Sequence, residues 1–184
     1  SGYRGAKSAL QEIFENPNEK IIIEQYIDTE PVYMYFLTDG YNAIPLISLE
    51  RRELKGLTEI VAPSGKISGK LTYDILRMCI YPLLDDILKY DVSYTGIIGI
   101  KIKLRGNNFF VLEYYNGFQS YDFQAFLSVL NEDIVELFKN AALNRINNNR
   151  GTKLSDKFSY TLALGKSELG DSIDDEGYFV SEDS

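Results

Sequence analysis

Two runs of apolar and β-branched residues, Gly96 to Leu104 and Phe109 to Tyr114, flank Arg105-Gly106-Asn107-Asn108. Glycine and asparagine between two such runs predict a β-hairpin. Alternation within the first run puts Ile100, Ile102 and Leu104 on one face and Lys101 and Lys103 on the other. Glu113 lies near the end of the second run. After a short polar link, Phe123, Phe126, Leu127, Leu130, Ile134 and Leu137 recur at three- and four-residue spacing, which predicts helix packed back on the sheet.

Upstream, Ala6, Ala9, Leu10, Ile13 and Phe14 fall on one helical face, and Asn16-Pro17-Asn18 stops that helix. Lys20 to Ile27, Val32 to Thr38 and Asn42 to Leu49 read as three strands of an antiparallel meander, the last two joined by an Asp39-Gly40 turn. Arg51, Arg52 and Lys55 make a small basic cluster, expected on a salt-bridged surface turn, and Ala62-Pro63-Ser64-Gly65 is turn chemistry. From Lys70 to Tyr90 a broad apolar stripe predicts a helix, bent by Pro82, which lacks an N–H and crowds the preceding turn. Asn147 to Gly151 is a polar link, and Phe158 to Leu164 reads as a last strand. The expected fold is α/β (α+β). A largely antiparallel sheet, from runs starting near Lys20, Val32, Asn42, Thr95 and Phe109, lays its inner face on the Lys70 to Tyr90 helix.

Composition narrows the chemistry. With no histidine and one cysteine, Cys79, the 184-residue chain has no intrachain disulfide, no histidine catalysis and no Cys/His zinc site. The net charge is −8, and seven carboxylates between Glu168 and Ser184, with no Lys or Arg among them, leave −1 on the rest. No basic patch follows from that distribution, which argues against nucleic acid and anionic membrane as partners. No run of eighteen apolar residues and no signal-peptide pattern is present, so a cytoplasmic (intracellular) location is expected.

The hairpin and its following helix resemble the C-terminal half of the ATP-grasp domain of phosphoribosylamine-glycine ligase (glycinamide ribonucleotide synthetase). The chain keeps that family's Tyr94, Gly96, Gly99, Val111-Leu112-Glu113, Phe118, Gln124, Leu127, Leu130, Asp133, Glu136 and Leu137, and further upstream Ile23-Glu24, Asp39-Gly40, Pro45-Leu46 and Pro82. The likeness spans about residues 6 to 164 and is strongest from 94 to 138. Departures fall on the chemistry. Tyr115 stands where the family has asparagine, Gly117 where it has arginine, Gln119-Ser120-Tyr121-Asp122 for Gly-Asp-Pro-Glu, and Pro31 at the ribose-binding glutamate. The family's glycine-rich loop after Pro45-Leu46 is absent.

The resemblance implies a linker at Glu24, Gln25, Tyr26 and Ile27 whose backbone borders adenine, with Glu30 the nearest substitute for the ribose carboxylate. These are vestigial nucleotide-binding positions. It implies Glu113 as the one surviving metal ligand. Tyr114, Tyr115, Phe118 and Tyr121, at the former catalytic mouth, are a candidate interaction patch. Residues 1–145 are expected to form a partial ATP-grasp-like domain, 146–167 a linker and the start of a C-terminal strand, and 168–184 an acidic tail. The family's upstream substrate domain and first lid strands are expected to precede residue 1. The expected function is a non-catalytic structural or protein-interaction module, with no cofactor, whose partner is another protein or the remainder of a larger chain. The alternative is part of an active ATP-dependent ligase of purine biosynthesis, using Mg and ATP and completed by residues outside this chain.

Overall fold

The computed structural model describes residues 3–14, 24–54, 57–106, 108–119, 121–147, 150–156 and 159–163. Its elements are α1 (Tyr3–Ile13), β1 (Pro31–Thr38), β2 (Ala43–Leu54), β3 (Leu57–Pro63), α2 (Gly69–Ile75), a π-helical turn (Leu76–Ile80), α3 (Tyr81–Leu88), β4 (Gly96–Arg105), β5 (Asn108–Tyr115), α4 (Asp122–Val129), α5 (Ile134–Ala142) and β6 (Thr161–Ala163). The strands form one antiparallel sheet in the order β5-β4-β1-β2-β3-β6.

The sheet is buried on both faces because its central strand is apolar throughout. From β1, Val32, Met34 and Phe36 face one way and meet Ile98, Ile100 and Ile102 of β4 under α2, the π turn and α3. Tyr33, Tyr35 and Leu37 face the other way and pack with Leu49, Val61, Phe126, Leu137 and Ala141 under α4 and α5. The expected alternation holds: Ile100 and Ile102 are fully buried, Leu104 packs on the same side, and Lys101 and Lys103 lie half-buried on the opposite face. One bulge interrupts β5, since Lys101 pairs with Glu113 while Ile102 pairs with Val111, leaving Leu112 as the extra residue.

Local chemistry sets the turns. Asp39, fully buried, accepts from the backbone N–H groups of Tyr41 (3.1 Å) and Asn42 (2.7 Å) through Oδ1 and from Ile146 (3.2 Å) through Oδ2, and Gly40 takes φ +95°, a region that glycine enters freely. This one turn therefore ties the β1–β2 corner to the segment after α5. Asp133 caps α5 by accepting from Val135 (2.8 Å) and Glu136 (3.2 Å) N–H groups.

Several expectations are corrected. The run from Lys20 was expected to be a strand, but residues 15–23 lie outside the described residues and Glu24 to Asp28 form none: Ile27 alone is buried there, and Glu24, Gln25 and Tyr26 are exposed with no partner strand among the described residues. The meander is instead β1-β2-β3, because β2 runs on through Arg51 and Arg52 to Leu54 and returns as β3. Arg51 and Arg52 are thus strand residues rather than a surface turn, and Lys55 lies outside the described residues. The bent helix at Pro82 is three segments. The Tyr81 N–H reaches back to the Leu76 carbonyl, the wide spacing of a π turn, immediately before the proline that has no N–H to offer. The apolar run after Phe123 splits into α4 and α5, because Leu130 takes extended backbone and Asp133 opens a new helix. Of the expected last strand, Thr161 to Ala163 pair with β3 in the same sheet.

Candidate functional site

The face shared by Tyr33 and Tyr35 is covered by α4 and α5 at one end and is polar at the other. Strand pairing sets Glu113 beside Lys101 and Lys101 beside Tyr33, and two residues along sets Tyr115 beside Gly99 and Gly99 beside Tyr35. Lys101 Nζ donates to Glu113 Oε1 at 3.2 Å, and the Tyr115 hydroxyl donates to Glu113 Oε2 in a short contact. These donors, Tyr115 first and Lys101 second, hold the Glu113 carboxyl below the usual range. Burial, with the Glu113 contact adding to it, pushes the Tyr115 phenol up. Gly99 is where the two rows can approach: a Cβ there would lie 2.8 Å from the Tyr35 ring and 3.2 Å from Tyr115 Cβ.

Beside this pair sits a buried charge. Asp122, at the start of α4, is fully buried, and its Oδ2 accepts from Arg51 Nη2 at 2.8 Å and, in a short contact, from the Tyr35 hydroxyl. The Arg51 guanidinium lies 4.0 Å above the Tyr33 ring, and Lys101 Nζ approaches the same ring at 5.8 Å. The backbone N–H of Gln119 donates to the Tyr35 oxygen at 3.3 Å. Burial first, and then the Asp122 hydrogen bond, raise the Tyr35 phenol far above its ordinary value. Asp122 Oδ1 and Gln124 Oε1 are buried without hydrogen-bond partners.

The sequence-expected residues are only partly brought together. Glu113 and Tyr115 meet. Phe118 lies tilted against Tyr35, with ring centroids 4.4 Å apart, and packs on Phe123 and stacks on Phe126 rather than facing outward. Tyr114 points to the opposite face of β5, beside Cys79, and it remains 45% exposed, while Tyr121 is 40% exposed. The four aromatics therefore do not make one continuous patch. Glu24, Gln25, Tyr26 and Glu30 are exposed, and the segment is tied to the site at Ile27, whose carbonyl accepts from Lys103 Nζ at 2.7 Å. Lys103 also lies 5.6 Å from the Tyr26 ring centroid.

Sequence reasoning missed Arg51, Asp122, Tyr35, Tyr33 and the role of Lys101. Two lysines alternating within an otherwise apolar strand were a usable signal, since period two puts both on one face. Arg51 and Asp122 lie 71 residues apart, and no local pattern links them.

Mg²⁺ takes a near-octahedral oxygen shell. The residues present fit it poorly: Glu113 is already engaged by an ammonium and a phenol, Tyr115 adds a neutral phenol, and no three acidic or sulfur ligands converge among the described residues.

An antiparallel sheet with helices on both faces, a hairpin ending in a carboxylate, and a linker running into the central strand together define an ATP-grasp-like fold. In sequence the chain resembles phosphoribosylamine-glycine ligase. It is 22% identical over 145 residues to that enzyme of Clostridium acetobutylicum, covering 74% of this chain and 35% of the relative. It is also 22% identical over 144 residues to that of Fusobacterium nucleatum subsp. nucleatum, covering 72% and 33%. The chain thus spans about a third of the length of these relatives. N5-carboxyaminoimidazole ribonucleotide synthetase from Thermus thermophilus superposes with a TM-score of 0.57 at 14% identity, over 85% of this chain and 41% of that one. The biotin carboxylase domain of a thermophilic 2-oxoglutarate carboxylase superposes with a TM-score of 0.54 at 19% identity, over 86% and 35%. No protein-family model matches the chain.

Proposed function

We propose that this chain is an ATP-grasp-like domain whose former nucleotide and metal pocket has been turned over to internal contacts, and that it acts as a non-catalytic structural or protein-interaction module. The observation that carries this is Glu113: both of its oxygens are engaged within the sheet, by Lys101 and Tyr115. A carboxylate held this way already spends one acceptor site on each oxygen, so a cation would compete with Lys101 and Tyr115 for its charge, and Tyr115 offers a neutral phenol in place of an amide. Nearby, Arg51 lies across Tyr33 and is anchored to Asp122, so its charge is committed to the protein. Glu24, Gln25, Tyr26, Ile27 and Glu30 are on this reading the remnant of an adenine-bordering linker, and residues 1–145 the partial domain.

A second reading has its own support. Because the chain spans about a third of the ligases it resembles, residues outside it would complete an active ATP-dependent ligase. Thermal melting of the longest natural form of the protein with millimolar Mg-ATP separates the two. A ligand at 100 times its Kd adds about 2.7 kcal/mol, an easily seen shift. We expect none. A rise of several degrees with Mg-ATP, absent with Mg²⁺ alone and abolished by Glu113→Ala, overturns the non-catalytic reading in favour of the ligase.

A further inference from the structure

β5 is an outer strand of the sheet, and among the described residues it pairs only with β4. Its sequence, NFFVLEYY, contains neither lysine nor proline, the usual blocks to further pairing at a sheet edge. Its one protective device is the bulge at Leu112, and that bulge has a geometric effect. By breaking the alternation, it brings Phe109 and Tyr114, opposite Leu104 and Ile100 of β4, onto one face. It brings Asn108, Phe110, Glu113 and Tyr115, opposite Arg105, Lys103, Lys101 and Gly99, onto the other.

We propose that the β5 edge pairs antiparallel with β5 of a second copy of this chain, about a two-fold axis between Val111 and Leu112, making one continuous sheet. Antiparallel pairing requires opposed residues to share a face. Around this axis Phe109 meets the second copy's Tyr114, Phe110 meets its Glu113, Asn108 meets its Tyr115, and Val111 meets its Leu112. Every pair outside the bulge matches in face. Moving the register by one residue in either direction sets residues of opposite faces against each other, whereas a move of two toward the C-terminal end again matches faces, with Phe110 against Tyr115 and Val111 against Tyr114, but loses the Phe109–Tyr114 pair.

The pairing is also chemically self-complementary. Phe109 and Tyr114 are an aromatic cross-strand pair that occurs twice by symmetry. Glu113, the only charged residue in the strand, meets Phe110 rather than its own symmetry mate, and its charge is compensated within its own chain by Lys101 at 3.2 Å. Tyr114, 45% exposed in the single chain, gains cover. The proposal stands apart from the fate of the pocket, since a chain that binds Mg-ATP can pair in the same way, so the two tests fail separately.

Sedimentation velocity on the unmodified chain, at concentrations up to about 100 µM, tests whether a pair with a micromolar Kd exists. Two substitutions at one position test where it lies. Phe110→Glu sets carboxylates against Glu113 of the second copy twice over, while within its own chain the new charge faces Lys103. Like charges directly opposite are unfavourable, so Phe110→Glu should raise the dissociation constant on the order of tenfold. Phe110→Lys sets opposite charges across the axis and should keep the dimer. Hydrogen exchange on the unmodified chain supplies an independent readout that does not depend on either variant folding: β5 amides should gain protection as concentration rises. A monomer at every concentration overturns the proposal. So does a dimer equally stable in both variants, or one whose β5 amides exchange independently of concentration.

Discussion

Removing the Asp122 carboxylate should be among the most damaging single changes available to this chain. The group is fully buried and serves two donors at once, Arg51 at 2.8 Å and the Tyr35 hydroxyl, and it ties the start of α4 to β1 and β2. Asp122→Ala leaves a guanidinium only 15% exposed facing a void, together with a buried phenol stripped of its acceptor. Breaking a buried ion pair by deleting one partner costs about 3–5 kcal/mol. For a chain of this size 1 kcal/mol corresponds to roughly 2–4 °C in Tm, so a drop on the order of 10 °C is expected. Asp122→Asn should cost less, because one acceptor oxygen survives and the amide nitrogen can take the place of Oδ1, which is buried without a partner. Arg51→Leu combined with Asp122→Leu should recover much of the loss, since replacing both members of a buried pair by apolar groups is often nearly neutral. Urea melts of the four proteins, compared by midpoint at constant slope, give the answer. If Asp122→Ala falls within about 0.5 kcal/mol of the unmodified chain, the size of a typical surface substitution, the contact is not holding these elements together.

Gly99→Ala places a methyl 2.8 Å from the Tyr35 ring, with Tyr115 Cβ on its other side at 3.2 Å, so overpacking should cost about 1–3 kcal/mol, and a melt equal to that of the unmodified chain would rule out the close approach. Burial first, and then the neighbouring Cys79, push Tyr114 up to about 12. A phenol raised in the folded state adds stability that is complete below the unfolded value of about 10 and is lost as pH climbs toward 12. Tyr114→Phe should therefore flatten part of the alkaline fall in stability, and an unchanged pH profile would contradict this.

How much could be read beforehand depended on how local each determinant was. The β4–β5 hairpin was legible to within a residue or two because its signals, alternation and a Gly-Asn turn, act over neighbouring positions. β3 was not: Leu57 to Pro63 holds Thr58, Glu59 and a terminal proline, and it is a strand because β2 and β6 flank it. Of the Lys20 run, residues 20–23 lie outside the described residues, so only its end can be compared. Strong β-branched character predicts a strand, but a strand needs a partner, and Glu24 to Ile27 have none among the described residues. At the site, Glu113 and its changed neighbour Tyr115 were found through family likeness. The Arg51–Asp122–Tyr35 cluster was invisible because its members come from β2, α4 and β1 and meet only once the sheet has formed.

The strand order has a further consequence, for assembly. β1, β2 and β3 follow one another in sequence and in the sheet, and so do β4 and β5, so each group closes through short turns. They join along a single seam, β1 against β4, which brings Val32 to Ile102 across the whole intervening α2–α3 stretch. Closing that long loop carries the larger entropic cost and comes before any of its ladder bonds can repay it. The face of β1 that carries Val32, Met34 and Phe36 cannot be fully buried until the seam forms, because Ile98, Ile100 and Ile102 supply a large part of the core under α2 and α3. The seam is thus where the β1-β2-β3 meander and the β4–β5 hairpin become one sheet.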